Sequence, residues 1–131
     1  MKERYDKLKE LGYEVIREEG LPVPTDIKFK FYLNGTHQEG TCFRKSCENT
    51  NSFRILINTI RPKYVFDIEK RTRMRRVMGT ERPFKQIIDT TAHEIAHLKF
   101  WDHGPQHTSY TNYLFDKLKE KMGVLHNEDE I

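Results

Sequence analysis

Five residues, His93-Glu94-Ile95-Ala96-His97, constrain this chain more than any other stretch. Two histidines four positions apart lie one turn apart on one face of a helix, so both imidazoles can reach a single metal ion. Glu94 sits beside the first of them and can reach a metal-bound water without ligating the metal. Zinc lowers the pKa of such a water toward about 7, and the carboxylate takes its proton as hydroxide attacks a polarised carbonyl. The pentad therefore asks for a helix with one face open to a cleft and another in the core, where Ile95 and Leu98 serve. Catalytic zinc takes three protein ligands and keeps one position open. His103 follows His97 after five residues, where Gly104-Pro105 turns the chain, and a ligand there can come back over the helix face.

The rest of the chain offers elements that can frame such a helix. Residues 2–19 place Tyr5, Leu8, Leu11, Val15 and Ile16 at helical spacing, and Gly20 stops that helix before the stiff Pro22 and Pro24. Residues 27–33 alternate apolar and charged side chains as a half-buried strand does, and Asn34-Gly35 supplies a tight turn. Residues 41–44 read as a second strand, 48–52 as turn chemistry, and the more apolar 53–58 as a third and central strand. Pro83 suits a first helical turn, and apolar positions keep helical spacing from Phe84 to about Phe100. Pro105 opens a last helix with Tyr110, Leu114, Phe115, Leu118 and Met122 on one stripe, and Gly123 ends it. The expected fold is α+β: a small antiparallel sheet packed on the active-site helix, with N-terminal and C-terminal helices, in one domain over 1–123. Residues 124–131 form an acidic tail.

The run from His93 to Pro105 resembles the signature of SprT-like and YgjP-like zinc metallopeptidases, minimal zincins in which HExxH is followed by a short loop and an HG or HS step into the next helix. The similarity is specific over about residues 84–118 and architectural upstream. It implies a zincin-like fold, zinc held by His93, His97 and His103, and Glu94 as general base. The spacing also equals that of metzincins, but Phe100 stands where their glycine belongs. Gluzincins take a downstream glutamate; Glu120 is the candidate and lies far along the helix, which favours His103. The SprT-like pattern carries an aromatic residue where this chain has His107. His107 can face the ion, bond another ligand, assist the transition state, or be a plain helix histidine. Tyr110 and Tyr113 are candidates for stabilising the oxyanion, and Asp89 and Asp102 for orienting ligand imidazoles.

Residues 61–85 hold nine basic residues against three acidic ones, a local charge of +6 in a chain whose net charge is +3. Some SprT-like proteases act on DNA-attached proteins, which makes single-stranded DNA a candidate partner. Arg71, Arg73, Arg75 and Arg76 would contact phosphates, with Tyr64 and Phe66 near for stacking. On a helix these arginines would wrap around it rather than form one stripe. Cys42 and Cys47 lack a second pair to complete a zinc site and read as plain thiols. No apolar run approaches the length needed to cross a bilayer, and the charged start is unlike a signal core, so a cytoplasmic protein with no membrane partner is expected. The expected activity is hydrolysis of peptide bonds in a protein or peptide substrate. The alternative is a non-proteolytic zinc- or nucleic-acid-binding module on the same scaffold, or a latent zymogen.

Overall fold

The computed structural model describes residues 2–31, 39–48, 50–67 and 73–123, with 62–67 and 73–78 as backbone only. Helix α1, Lys2–Glu18, buries Tyr5, Leu8, Val15 and Ile16. Gly20 ends it at φ +68, where the Leu21 N–H returns to the Ile16 carbonyl and the Gly20 N–H to that of Arg17. These two bonds are a Schellman stop, which needs a left-handed residue at that position. Strand β1, Asp26–Lys30, turns Ile27 and Phe29 inward. Strands β2, Gly40–Cys47, and β3, Thr50–Asn58, form a hairpin whose register pairs Cys47 with Thr50, with Glu48 at φ 48. Residues 50–52 therefore belong to a strand rather than to the turn.

The sheet is mixed, which corrects the expectation of an antiparallel one. Its order is β1-β3-β2, with β3 central as its apolar composition requires, β2 antiparallel to it and β1 parallel. The physical reason lies in connectivity. β1 and β2 are neighbours in sequence but occupy opposite edges, so no hairpin joins them. The expected Asn34-Gly35 turn lies outside the described residues.

The basic stretch holds two strands, β4, Ile60–Asp67, and β5, Arg73–Glu81, paired antiparallel with an irregularity between Ile60 and Pro62. Arg73, Arg75 and Arg76 thus sit on a strand, opposite Asp67, Val65 and Tyr64, and not on a helix; Arg71 lies outside the described residues. Helix α2, Phe84–Ala96, begins after Pro83 at its N-cap and stops at His97, short of the expected Phe100. It buries Ile87, Ile88, Ala92 and Ile95 against the sheet and the other helices. Helix α3, Pro105–Met122, starts with proline in its first turn and ends at Gly123, φ 68. Among the described residues no helix is long and apolar enough to cross a membrane.

Arg82, part of the basic stretch, is no candidate for phosphates, because it is 4% exposed. Its guanidinium donates to the Asn58 carbonyl at 2.6 Å, the Thr90 hydroxyl at 2.6 Å and the Glu39 carbonyl at 3.3 Å, with a Glu39 carboxylate oxygen at 3.5 Å. One side chain thereby ties the end of β3, the approach to β2 and the middle of α2. Arg82→Met keeps the volume but removes the donors, and should lower stability by about 2 kcal/mol. The measurement is a lower urea midpoint at unchanged m; an unshifted midpoint would show that the clamp contributes nothing.

Candidate metal centre

The four histidines between 93 and 107 converge, although they come from α2, the turn after it and α3. His93 occupies the last turn of α2, and His97 caps its end. Because the chain leaves the helix there, the His97 N–H bonds back to Glu94 at 3.2 Å, and the Leu98 N–H to Ile95 at 2.9 Å. The carbonyl of His93 accepts from His107 Nε2, at 3.0 Å. His97 Nδ1 donates to the carbonyls of Trp101 at 2.8 Å and Phe100 at 3.3 Å. These bonds settle the tautomers, leaving Nε2 of His97 and Nδ1 of His107 with free lone pairs.

His93, His97 and His107 each offer a ring nitrogen within 4.8 Å of the others, close enough to bind a metal ion. His103 lies beside that group of three on the loop, its Nε2 3.1 Å from Nε2 of His93. Two nitrogens on a tetrahedral zinc with bonds of about 2.0–2.1 Å stand about 3.3 Å apart, so the His93–His103 spacing suits a shared ion. The His97 and His107 rings stack at 4.1 Å between centroids. Burial and the neighbouring rings pull His93 down to about 4, and burial lowers His97 and His107 as well. Neutral imidazoles are the ligating form, and this donor set fits zinc.

A cavity of about 590 Å³ opens onto His93, His97, His103 and Glu94, with Gly40, Thr41 and Cys42 of β2 along one wall. The Glu94 side chain packs under Gly40, where a Cβ would stand 3.0 Å from Glu94 Oε2 and 2.7 Å from Thr90 Cγ2. The absence of a side chain at 40 is what lets β2 approach the helix this closely. Glu94 is 5% exposed, and burial pushes its carboxyl up to about 7. Burial also raises the Cys42 thiol, with the Glu94 charge adding to it, to about 12. A protonated thiol on that wall is a poor ligand. Cys47 is exposed further along the same strand, and both cysteines are free.

Tyr110 and Tyr113 lie elsewhere. Both hydroxyls donate at 2.9 Å to Glu19 of α1, which Lys117 also holds at 3.0 Å, so they join α1 to α3 and do not line the cavity. Neither is placed to stabilise an oxyanion. Asp89 and Asp102 do line the cavity, but the ring N–H groups of His97 and His107 go to backbone carbonyls instead. Sequence reasoning missed Gly40, Arg82 and Trp101. Trp101, the one tryptophan of the chain and positioned between two of the histidines, was the readable signal among them. Comparison with protein-family models, curated proteins and solved structures found no match to this chain.

The raised Glu94 pKa has a direct consequence for metal-free protein. The folded state holds a proton that the unfolded state releases above its ordinary value of 4.5, so this group costs stability as pH rises from 4.5 to about 7. His93 acts in the opposite sense, its contribution being lost as pH falls from 6.5 to about 4. Glu94→Gln separates the two. Relative to wild type, the metal-free variant should gain up to about 3 kcal/mol across the Glu94 window, read by urea denaturation at several pH values. A difference independent of pH would show that Glu94 titrates normally.

Proposed function

We propose that the protein is a zinc-dependent endopeptidase of zincin-like design, with His93, His97 and His103 holding the metal and Glu94 as general base. The observation that carries the reading is the meeting of those three imidazoles and one buried carboxyl on a single cavity beside an edge strand. When bound, zinc supplies a Lewis acid that polarises the scissile carbonyl and acidifies a water molecule.

The chain's own residues do the remainder. An extended segment would pair with the outer edge of β2, which brings its carbonyl past Gly40 toward the histidines. Glu94, its charge destabilised by burial, takes a proton from water and returns it to the leaving amine. Gly40 keeps the room above that carboxyl clear of a side chain. The His97 and His107 bonds to backbone carbonyls hold the ligand turn in register.

A second reading rests on His107. At 2% exposure, with one nitrogen within reach of His93 and His97, it offers a further ligand that would close the site and leave a non-proteolytic metal centre. Open and closed centres differ spectroscopically. Cobalt-substituted protein with an open position should change its visible spectrum on adding acetohydroxamate, whereas a closed four-nitrogen set should not.

Zinc-loaded wild type should cleave an unfolded protein substrate, while Glu94→Gln keeps its zinc and loses about a thousandfold in rate. His103→Ala should lose more than about a hundredfold in zinc affinity, beyond the 10–100-fold typical of a residue that only orients a ligand. Absent cleavage with zinc bound would remove the peptidase reading. Parallel reactions with single-stranded DNA test whether DNA-associated proteins are the substrates: faster cleavage supports that choice, and equal rates dispose of it.

A further inference from the structure

Beyond Trp101 a second cavity, of about 400 Å³, opens beside the same strand. His97 and Trp101 border both cavities. Their charges are opposite. Among the described residues, the first has the carboxyl groups of Glu39, Asp89, Glu94 and Asp102 around it and no lysine or arginine. The second has Arg44, with Asn51 and Phe53, and no carboxylate among the described residues; Lys99 borders it, but its ammonium lies 4.9 Å from the Tyr110 ring.

Arg44 is held in place by aromatic packing. Its guanidinium lies 4.3 Å from the centroid of Trp101, whose ring in turn stands 6.3 Å from that of Phe53, the residue opposite Arg44 in the hairpin. The planar fork of N–H groups on a guanidinium matches a carboxylate. Alternation along β2 sets Gly40, Cys42 and Arg44 on one side of the strand. A peptide laid along this edge therefore passes the histidines and then Arg44.

We propose that the second cavity is a subsite for an acidic side chain, Asp or Glu, of a peptide bound along β2. This deepens the peptidase reading and rests on it for the orientation of the chain. A single carboxylate fits the charge pattern better than a nucleic acid does. A phosphate backbone repeats its charge at every nucleotide, whereas this cavity presents a single guanidinium.

The chain has one tryptophan, so Trp101 emission reports occupancy without any need for cleavage. The zinc-supplemented full chain is titrated with a capped Ala/Ser peptide carrying one Glu, with its Gln and Lys counterparts, and with oligothymidylate. The Glu peptide should give a saturable change and bind about five- to tenfold more tightly than the Gln peptide, as a charge-assisted bond allows. That advantage should vanish in Arg44→Gln, which changes an exposed residue, and should shrink at high salt. Equal affinity for Glu and Gln peptides, an advantage that survives the substitution, no saturable response, or a response to oligothymidylate alone would each overturn the proposal. Selective binding of the Glu peptide with no cleavage of any substrate would remove the peptidase reading and leave the subsite standing. Cleavage with no acidic preference in binding or kcat/KM would do the reverse.

Discussion

Helix α2 has to dispose of its last carbonyl groups, and the way it does so organises the histidine cluster. A helix end leaves four carbonyls without intrahelical partners. Here the backbone tightens at His97, and the carbonyl of His93 accepts from the imidazole of His107 on α3. The loop carbonyls of Phe100 and Trp101 accept from His97 in the same way. Satisfying the helix end and aiming the ligands are thus one set of hydrogen bonds. Each ring spends one nitrogen on the backbone and keeps the other for an ion.

The opposite wall depends on a different constraint, close approach. β2 can lie against α2 only because residue 40 is glycine, and it is kept there by Arg82, whose buried guanidinium reaches Asn58, Glu39 and Thr90 together. A buried cation costs desolvation, and these bonds offset part of that cost, although the buried Nε of Arg82 has no partner among the described residues. Glu94 meets neither a cation nor this clamp. Its carboxyl is left in a dry pocket between helix and strand, which makes it a better base than an ordinary glutamate.

Trp101 divides the groove along β2 into an acidic and a basic half. Its neighbours include Arg44 and Phe53 of the hairpin, distant in sequence, beside His97 one turn before it. The charge pattern is therefore a property of packing and not of any local run. The local run that stood out, residues 61–85, behaves otherwise. It contributes Arg82 to the interior, Arg61 to a bond with Gln86, and a two-stranded ribbon apart from the three-stranded sheet.

Sequence alone determined what local chemistry can determine. The three helices, the glycine and proline stops, the central strand and the histidines as a group able to reach one ion follow from periodicity and spacing, because those signals act over a few residues. Packing decided the rest. Parallel pairing of β1 with β3 depends on which strand takes which edge, and no residue in β1 specifies its partner. Spacing favoured His103 as the third ligand and left His107 an auxiliary, whereas in the fold His107 lies buried against the His93 carbonyl and offers its nitrogen within reach of His93 and His97, while His103 borders the cavity. Tyr110 and Tyr113 lie near the cluster in sequence, yet the α1–α3 interface claims both hydroxyls through Glu19. A partner more than ninety positions away along the chain is invisible to spacing arguments, and it is the tertiary hydrogen bond that removes these residues from the site.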